Sequence, residues 1–252
     1  MQRKPLIAGN WKMHTTIDEA ESLAKAIMES GLPGDRDVML APPFTAMKAV
    51  SQAVAGSGIL LGAQNVCWEE KGAFTGEISP IMLKDAGCAM AIIGHSERRH
   101  IFGESDALVN KRVAGALKFG LVPVLCIGEK LEEREADKTF QVLEDQLRKG
   151  LEGISQEGAD NIVIAYEPVW AIGTGKTATV DQAQEVHLFV RSLLADIYEK
   201  NIATGIRILY GGSVNPKNVD DLMGQEDIDG ALVGGAALDS TSFSRIINFK
   251  VT

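Results

Sequence analysis

The feature that most narrows the folds open to this chain is an end-to-end alternation of short apolar runs with amphipathic stretches. The apolar runs fall at 6–11, 38–41, 59–65, 89–93, 122–127, 162–166, 207–210 and 230–233. Helical patterns lie between them at 17–29, 45–55, 80–86, 105–118, 138–150, 180–199 and 216–223, and a last one, 240–248, follows the final run. Runs this uniformly apolar are buried on both faces, which suits a parallel sheet covered by helices. Eight such units in 252 residues fit a closed (β/α)8 barrel, a parallel eight-stranded sheet surrounded by helices, better than an open doubly wound sheet. No linker, low-complexity tract or shift of composition divides the chain, so it reads as one domain, 1–252.

Composition excludes several classes of partner. The net charge of −9 argues against nucleic acid and against an anionic membrane surface. An anionic ligand must therefore be attracted by local positive groups and helix ends, not by the overall field. No apolar run approaches the roughly 20 residues of a membrane helix, and MQRKPLIAGNWK has no secretory pattern. Cys67, Cys88 and Cys126 are odd in number, widely spaced and set in apolar surroundings, which predicts buried reduced thiols in a cytoplasmic protein.

The stretch 162–179 changes character abruptly. An apolar run ends on an acid, Glu167, which Pro168 biases towards an extended backbone. Next come Gly173, Gly175 and Lys176 in the segment 171–178, and a helical pattern resumes near Val180. The predicted arrangement is a reactive carboxylate at a strand's C-terminal end, followed by a glycine-containing lid. Two nucleotide motifs compete with it. Gly175-Lys176-Thr177 resembles the end of a phosphate loop, but the first glycine of that motif falls on Trp170. Gly173-x-Gly175-x-x-Ala178 resembles a dinucleotide fingerprint, but residues 167–170 separate it from its strand.

In such a barrel chemistry gathers at the C-terminal ends of strands. Those positions hold Asn10-Trp11-Lys12, Gln64-Asn65, Gly94-His95-Ser96-Glu97, Gly128-Glu129, Glu167, Gly211-Gly212-Ser213 and Gly234-Gly235. The two glycine pairs at the last two strand ends let backbone N–H groups approach a ligand, and together they favour a phosphate site over ordinary tight turns. Lys12 supplies a cation beside that pocket, and Glu97 is placed to orient it or to make a structural ion pair. Glu129 is open to the same structural reading. His14, His100 and His187 have no partner at metal spacing and no HExxH pair occurs, so no metal is expected. Among helix starts, Thr179 or Asp181 caps the pattern after the lid, Ser105-Asp106 opens another, and Asn215-Pro216 puts a proline at a first helical position. The charged run 131–138 predicts a surface helix.

Asn10-Trp11-Lys12, Gly94-His95-Ser96-Glu97-Arg98-Arg99, the run from Tyr166 to Gly175, Tyr210-Gly211-Gly212-Ser213-Val214 and Val233-Gly234-Gly235-Ala236 closely resemble the triosephosphate isomerase family, in order and over the whole chain. The resemblance implies interconversion of dihydroxyacetone phosphate and D-glyceraldehyde 3-phosphate through an enediolate, without a cofactor. It implies Glu167 as the base and His95 as a neutral electrophile whose pKa a helix N-terminus lowers, roles known for this family and not read from spacing. It further implies that Lys12 and Asn10 hold the substrate, and that Gly173, Ser213, Gly234 and Gly235 bind phosphate. Residues 171–176 would form the lid, with hinges at 168–170 and 176–178. A homodimer is implied, in which the loop 64–77, with apolar Val66, Trp68 and Phe74, enters the neighbouring subunit and Thr75 approaches its Asn10 and His95. A self-packed loop is the alternative. Ala237 departs from the family, where serine is frequent, with a slight expected effect on phosphate binding. Other functions set against this one are a metal-dependent epimerase or Schiff-base lyase, whose ligand set or interior lysine this rim lacks, and a non-catalytic metabolite-binding barrel.

Overall fold

A computed structural model describes residues 3–172 and 177–251 of the chain. Eight strands are found among them: β1 Leu6–Asn10, β2 Asp37–Ala41, β3 Leu60–Ala63, β4 Cys88–Ile93, β5 Val122–Ile127, β6 Val163–Tyr166, β7 Arg207–Tyr210 and β8 Gly230–Val233. Each pairs in parallel with the next, and β8 pairs with β1, closing the barrel. The alternation of side chains sorts the strands into two apolar layers. Leu6, Ala8, Met39, Met90, Ile92, Val124, Cys126 and Leu209 fill the interior. Ile7, Leu40, Ile93, Leu125, Ile164 and Ile208 face outward into the layer covered by helices. Burial on both sides is why the strands read as continuous apolar runs.

The seam between β7 and β8 has a single ladder pair, Tyr210 with Ala231. A side chain extends it: Asp229, just ahead of β8, accepts the Ile208 N–H at Oδ2 (2.8 Å), while its own N–H donates to the Ile208 carbonyl (2.8 Å). Arg191 and Arg3 each reach the same carboxylate at 2.5 Å.

Several helices begin where short polar side chains supply the missing acceptors. Ser105 accepts the Leu108 N–H ahead of Asp106–Lys118, and Thr179, not Asp181, accepts the Gln182 N–H ahead of Val180–Ile197. The charged segment forms a short helix, Leu131–Glu135, with no buried residue. Cys67, Cys88 and Cys126 are all free and buried.

Several boundaries differ from the sequence reading. The first strand stops at Asn10 and the third at Ala63, so Trp11 and Gln64-Asn65 belong to loops. The helix expected from Pro216 starts at Val219. Asn215 Oδ1 accepts the Lys217 N–H and Asn218 Oδ1 accepts the Asn215 N–H, so side chains tie residues 215–218 into a turn first. A helix absent from the sequence reading, Ser96–His100, stands directly behind His95.

Candidate active site

The polar residues that end the strands converge on one cavity of about 490 Å³. Its lining includes Asn10, Lys12, His95, Glu167, Ser213, Gly234 and Gly235, together with Trp11, His14, Ala171 and Ile172. All predicted site residues except Gly173 therefore border a common space. Gly173, like the rest of 173–176, lies outside the described residues.

Glu167 leaves the end of β6 with its N–H donating to the Ile127 carbonyl (2.8 Å), one rung beyond the ladder. Its side chain is 2% exposed as a residue. The Ser96 N–H donates to Oε2 at 2.9 Å, and His95 Nε2 stands 2.9 Å from Oε1. Gly211 leaves the carboxylate its room, because a Cβ there would lie 2.9 Å from Glu167 Cγ and 3.0 Å from the Tyr166 carbonyl oxygen. Burial alone pushes this carboxyl's pKa up. The His95 ring, the Ser96 N–H and the Lys12 ammonium together outweigh burial and hold it below the ordinary value. Glu167 is therefore ionised at neutral pH.

His95 caps the helix Ser96–His100: its Nδ1 accepts the Glu97 N–H at 3.2 Å. A backbone N–H has no lone pair to offer, so this bond places the ring's proton on Nε2, facing Glu167. The expected lowering of the His95 pKa is reversed in this arrangement. Burial does lower it, but the Glu167 carboxylate opposite Nε2, helped by Glu97, raises it above the ordinary value. Once Glu167 turns away from the ring, burial and the N–H donor at Nδ1 both favour the neutral imidazole.

Lys12 adopts φ 51°, uncommon for a residue with a Cβ. Neighbours hold it there: its N–H donates to Asn10 Oδ1 (3.0 Å), and Gln64 Nε2 donates to its carbonyl (2.7 Å). The ammonium donates to Glu97 Oε1 at 2.7 Å. An ammonium has three donors, so two stay available to a ligand. The Asn10 side chain that accepts the Lys12 N–H also borders the cavity.

Glu129 is fully buried and serves as an anchor: its Oε1 receives Trp170 Nε1–H at 2.8 Å, the Tyr166 hydroxyl at 3.2 Å and Arg134 at 3.1 Å. In the 64–77 loop, Val66 is buried and Trp68 packs against Phe74 (centroids 5.5 Å apart) and the Arg112 guanidinium. Val66 is covered by its own chain, and Trp68 is half-buried against it. The exposed tip is 69–76.

Sequence reasoning missed Ser96 as the donor to the base and Gln64 as the clamp on Lys12. It set His14 aside for lack of a metal partner, yet His14 borders the cavity. A helix of five residues shows no periodicity to read, and a side chain reaching from one loop to another leaves no local signal.

The triosephosphate isomerase family model matches residues 5–250. Among curated proteins, the triosephosphate isomerase of Syntrophotalea carbinolica is 56% identical over 251 residues, covering 98% of this chain and 99% of the relative. That of Thermoanaerobacter pseudethanolicus is 51% identical over 247 residues, covering 98% and 100%. That of Geobacter metallireducens is 55% identical over 249 residues, covering 98% and 99%. A cavity bordered by the polar residues that end the strands of an eight-stranded barrel, and whole-length likeness to these proteins, lead to one assignment. The chain belongs to the triosephosphate isomerase family.

Proposed function

We propose that Glu167, His95, Lys12 and Asn10 carry the isomerase reaction of this chain, and that Gly173, Ser213, Gly234 and Gly235 hold the phosphate. The enzyme interconverts dihydroxyacetone phosphate and D-glyceraldehyde 3-phosphate, a step of glycolysis and gluconeogenesis. Moving a carbonyl between adjacent carbons requires removal of the proton on the neighbouring carbon, which gives an enediolate. Glu167 takes that proton. His95 Nε2–H and the Lys12 ammonium stabilise the negative charge that appears on oxygen, and the Asn10 amide holds the same oxygens. The substrate enters between Glu167 and His95, displacing the carboxylate from the ring and leaving the imidazole neutral, as an electrophile must be.

The observation that supports this reading is the shared cavity, with an ionised buried carboxylate facing an imidazole N–H beside an ammonium group. Ala171 and Ile172, which open the lid segment expected from the sequence, border the cavity; the rest of that segment, 173–176, lies outside the described residues.

The functional unit is a single-domain subunit in a cytoplasmic homodimer, joined through the 64–77 loop, with Thr75 placed beside the neighbour's Asn10 and His95. Exposed apolar residues support this. Met13 (94% exposed), Phe44, Phe74, Met82, Ile101 and Phe102 all lie in segments that follow β1 to β4, four strands adjacent in the sheet. No helix among the described residues is long and apolar enough to cross a membrane.

A coupled assay on purified protein tests the assignment. Turnover of dihydroxyacetone phosphate is expected. Glu167→Asp, which withdraws the carboxylate by one methylene, lowers kcat while a phosphorylated inhibitor still binds. An unchanged kcat would remove Glu167 from the role of base.

A further inference from the structure

Gln146 stands on the helix Thr139–Gly150, in line with Leu143, Leu147 and Gly150, which that helix buries. A polar residue on an apolar stripe calls for a partner. Both halves of its amide find one in a single residue. The Gly128 N–H donates to Gln146 Oε1 at 2.8 Å, and Gln146 Nε2 donates to the Gly128 carbonyl at 3.1 Å. Gly128 lies one residue past the end of β5, where the ladder no longer fixes it.

Gly128 is also the residue on which the main chain of Glu167 rests. A Cβ at position 128 would overlap the Glu167 carbonyl oxygen and lie 2.8 Å from its carbon. The residues on either side of Gly128 hold the same segment. The Ile127 carbonyl accepts the Glu167 N–H (2.8 Å), and the Glu129 carbonyl accepts the Val169 N–H (3.1 Å). Glycine is demanded by the close approach, and glycine is also the residue with most backbone freedom. The close contact thus creates a weak point directly under the base, and the glutamine clamp compensates for it.

We infer that Gln146 is a positioning residue for the base: by gripping both polar groups of Gly128, it fixes the surface against which Glu167 is set. The inference rests on the reading of Glu167 as base. Both side-chain hydrogen bonds of Gln146 found among the described residues go to Gly128, and Gln146 does not line the cavity, so its loss acts on the placement of the carboxylate and not on phosphate binding.

The test compares three variants with the parent in the coupled assay, each checked for folded content by circular dichroism. Gln146→Met keeps the side chain's bulk and removes both bonds. Gln146→Glu keeps the acceptor for the Gly128 N–H and removes the donor. Gln184→Met is the matched control, because Gln184 makes a similar two-point clamp on Asp227 (Nε2 to Oδ2 2.7 Å, Asp227 N–H to Oε1 3.2 Å), away from the cavity.

Since a misplacement on the order of 1 Å costs up to about 100-fold in rate, Gln146→Met is expected to lower kcat about 10- to 100-fold, with KM within about twofold. Gln146→Glu is expected to fall between it and the parent, and Gln184→Met to keep the parent kcat even where it melts earlier. A folded Gln146→Met with parental kcat, or a loss matched by Gln184→Met, overturns the inference. Should Gln146→Met fail to fold, parental kcat in Gln146→Glu overturns it instead. Glu167→Gln is run alongside. If that variant keeps parental activity, the base assignment and the inference fall together; if it is inactive while Gln146→Met and Gln146→Glu match the parent, only the inference falls.

Discussion

Two buried carboxylates, one at each end of the barrel strands, are held in opposite ways. Asp229, ahead of β8, lies between two guanidinium groups: Arg3 at Oδ1 and Arg191 at Oδ2, with the Ile208 N–H as a further donor. Glu167, past the end of β6, is more deeply buried, at 2% exposed against 6%. Its partners include one backbone N–H and one imidazole, with the Cys126 thiol also against it, and no permanent cation touches it directly among the described residues. A carboxylate locked by two permanent cations cannot be moved without breaking both pairs, and it serves to join strands. A carboxylate ionised by gentler donors at the edge of a cavity remains able to change partner. The difference between structural and chemical acids here lies in the partners, not in the depth of burial.

The comparison predicts a division of effects. Glu167→Gln removes the proton acceptor at constant shape. The expected kcat falls by about 10³–10⁴, near the upper range for general acid–base groups, with the melting temperature close to the parent's. Asp229→Asn is expected to do the converse. It leaves Arg3 without its carboxylate and strips Arg191 of one of two, costing about 3–5 kcal/mol by the usual measure of a broken buried pair. Denaturant unfolding reads that loss, while kcat at 25 °C stays within about twofold. Activity loss without destabilisation in Asp229→Asn would erase the contrast.

The acidity of Glu167 sharpens it further. Its pKa is depressed in the folded state, so the ionised base is present above that lowered value and is lost as pH falls through it. The His95 pKa is raised above its ordinary 6.5, so the imidazole takes up the first proton, and because the electrophile must be neutral the acid limb of kcat/KM should lie above 6.5. Because Glu167 and His95 titrate as a pair, this limb belongs to both. In His95→Gln the imidazole limb is expected to vanish, leaving the carboxyl limb of Glu167 alone, itself moved up from its lowered position because burial still opposes the charge and the main opposing group is gone. A pH–rate series on both proteins checks the direction.

The smallest expected effect is at Ala237. This residue is fully buried beside Gly9, whose added Cβ would lie 3.2 Å from the Ala237 Cβ. Facing its own chain, it is one step removed from the ligand. Ala237→Ser is expected to leave KM within about twofold, because tolerated substitutions outside the contact set alter binding little.

Much of this division was legible in the sequence, for a physical reason. The strands lie between an inner apolar layer and a helical one, so each announces itself as an unbroken apolar run. A polar residue ending such a run marks the rim, which is how Lys12, His95 and Glu167 could be picked out. What escaped is contact between distant segments. The hold of Gln64 on the Lys12 carbonyl, of Ser96 on Glu167 and of Gln146 on Gly128 spans 52, 71 and 18 residues. The sign of the His95 shift escaped for the same reason, since it depends on which way the Glu167 carboxylate points. The end of β6 shows both sides: the place of Glu167 at a strand end could be read from the sequence, whereas its partners come from segments distant in the chain.

Isomerisation carried out in D2O and followed by NMR tests the central claim most directly. If the ionised Glu167 takes a proton from carbon, product and recovered substrate acquire one deuterium on the carbon next to the carbonyl, and Glu167→Gln abolishes the exchange. Rapid isomerisation with no deuterium at that carbon, or undiminished exchange in Glu167→Gln, would contradict it.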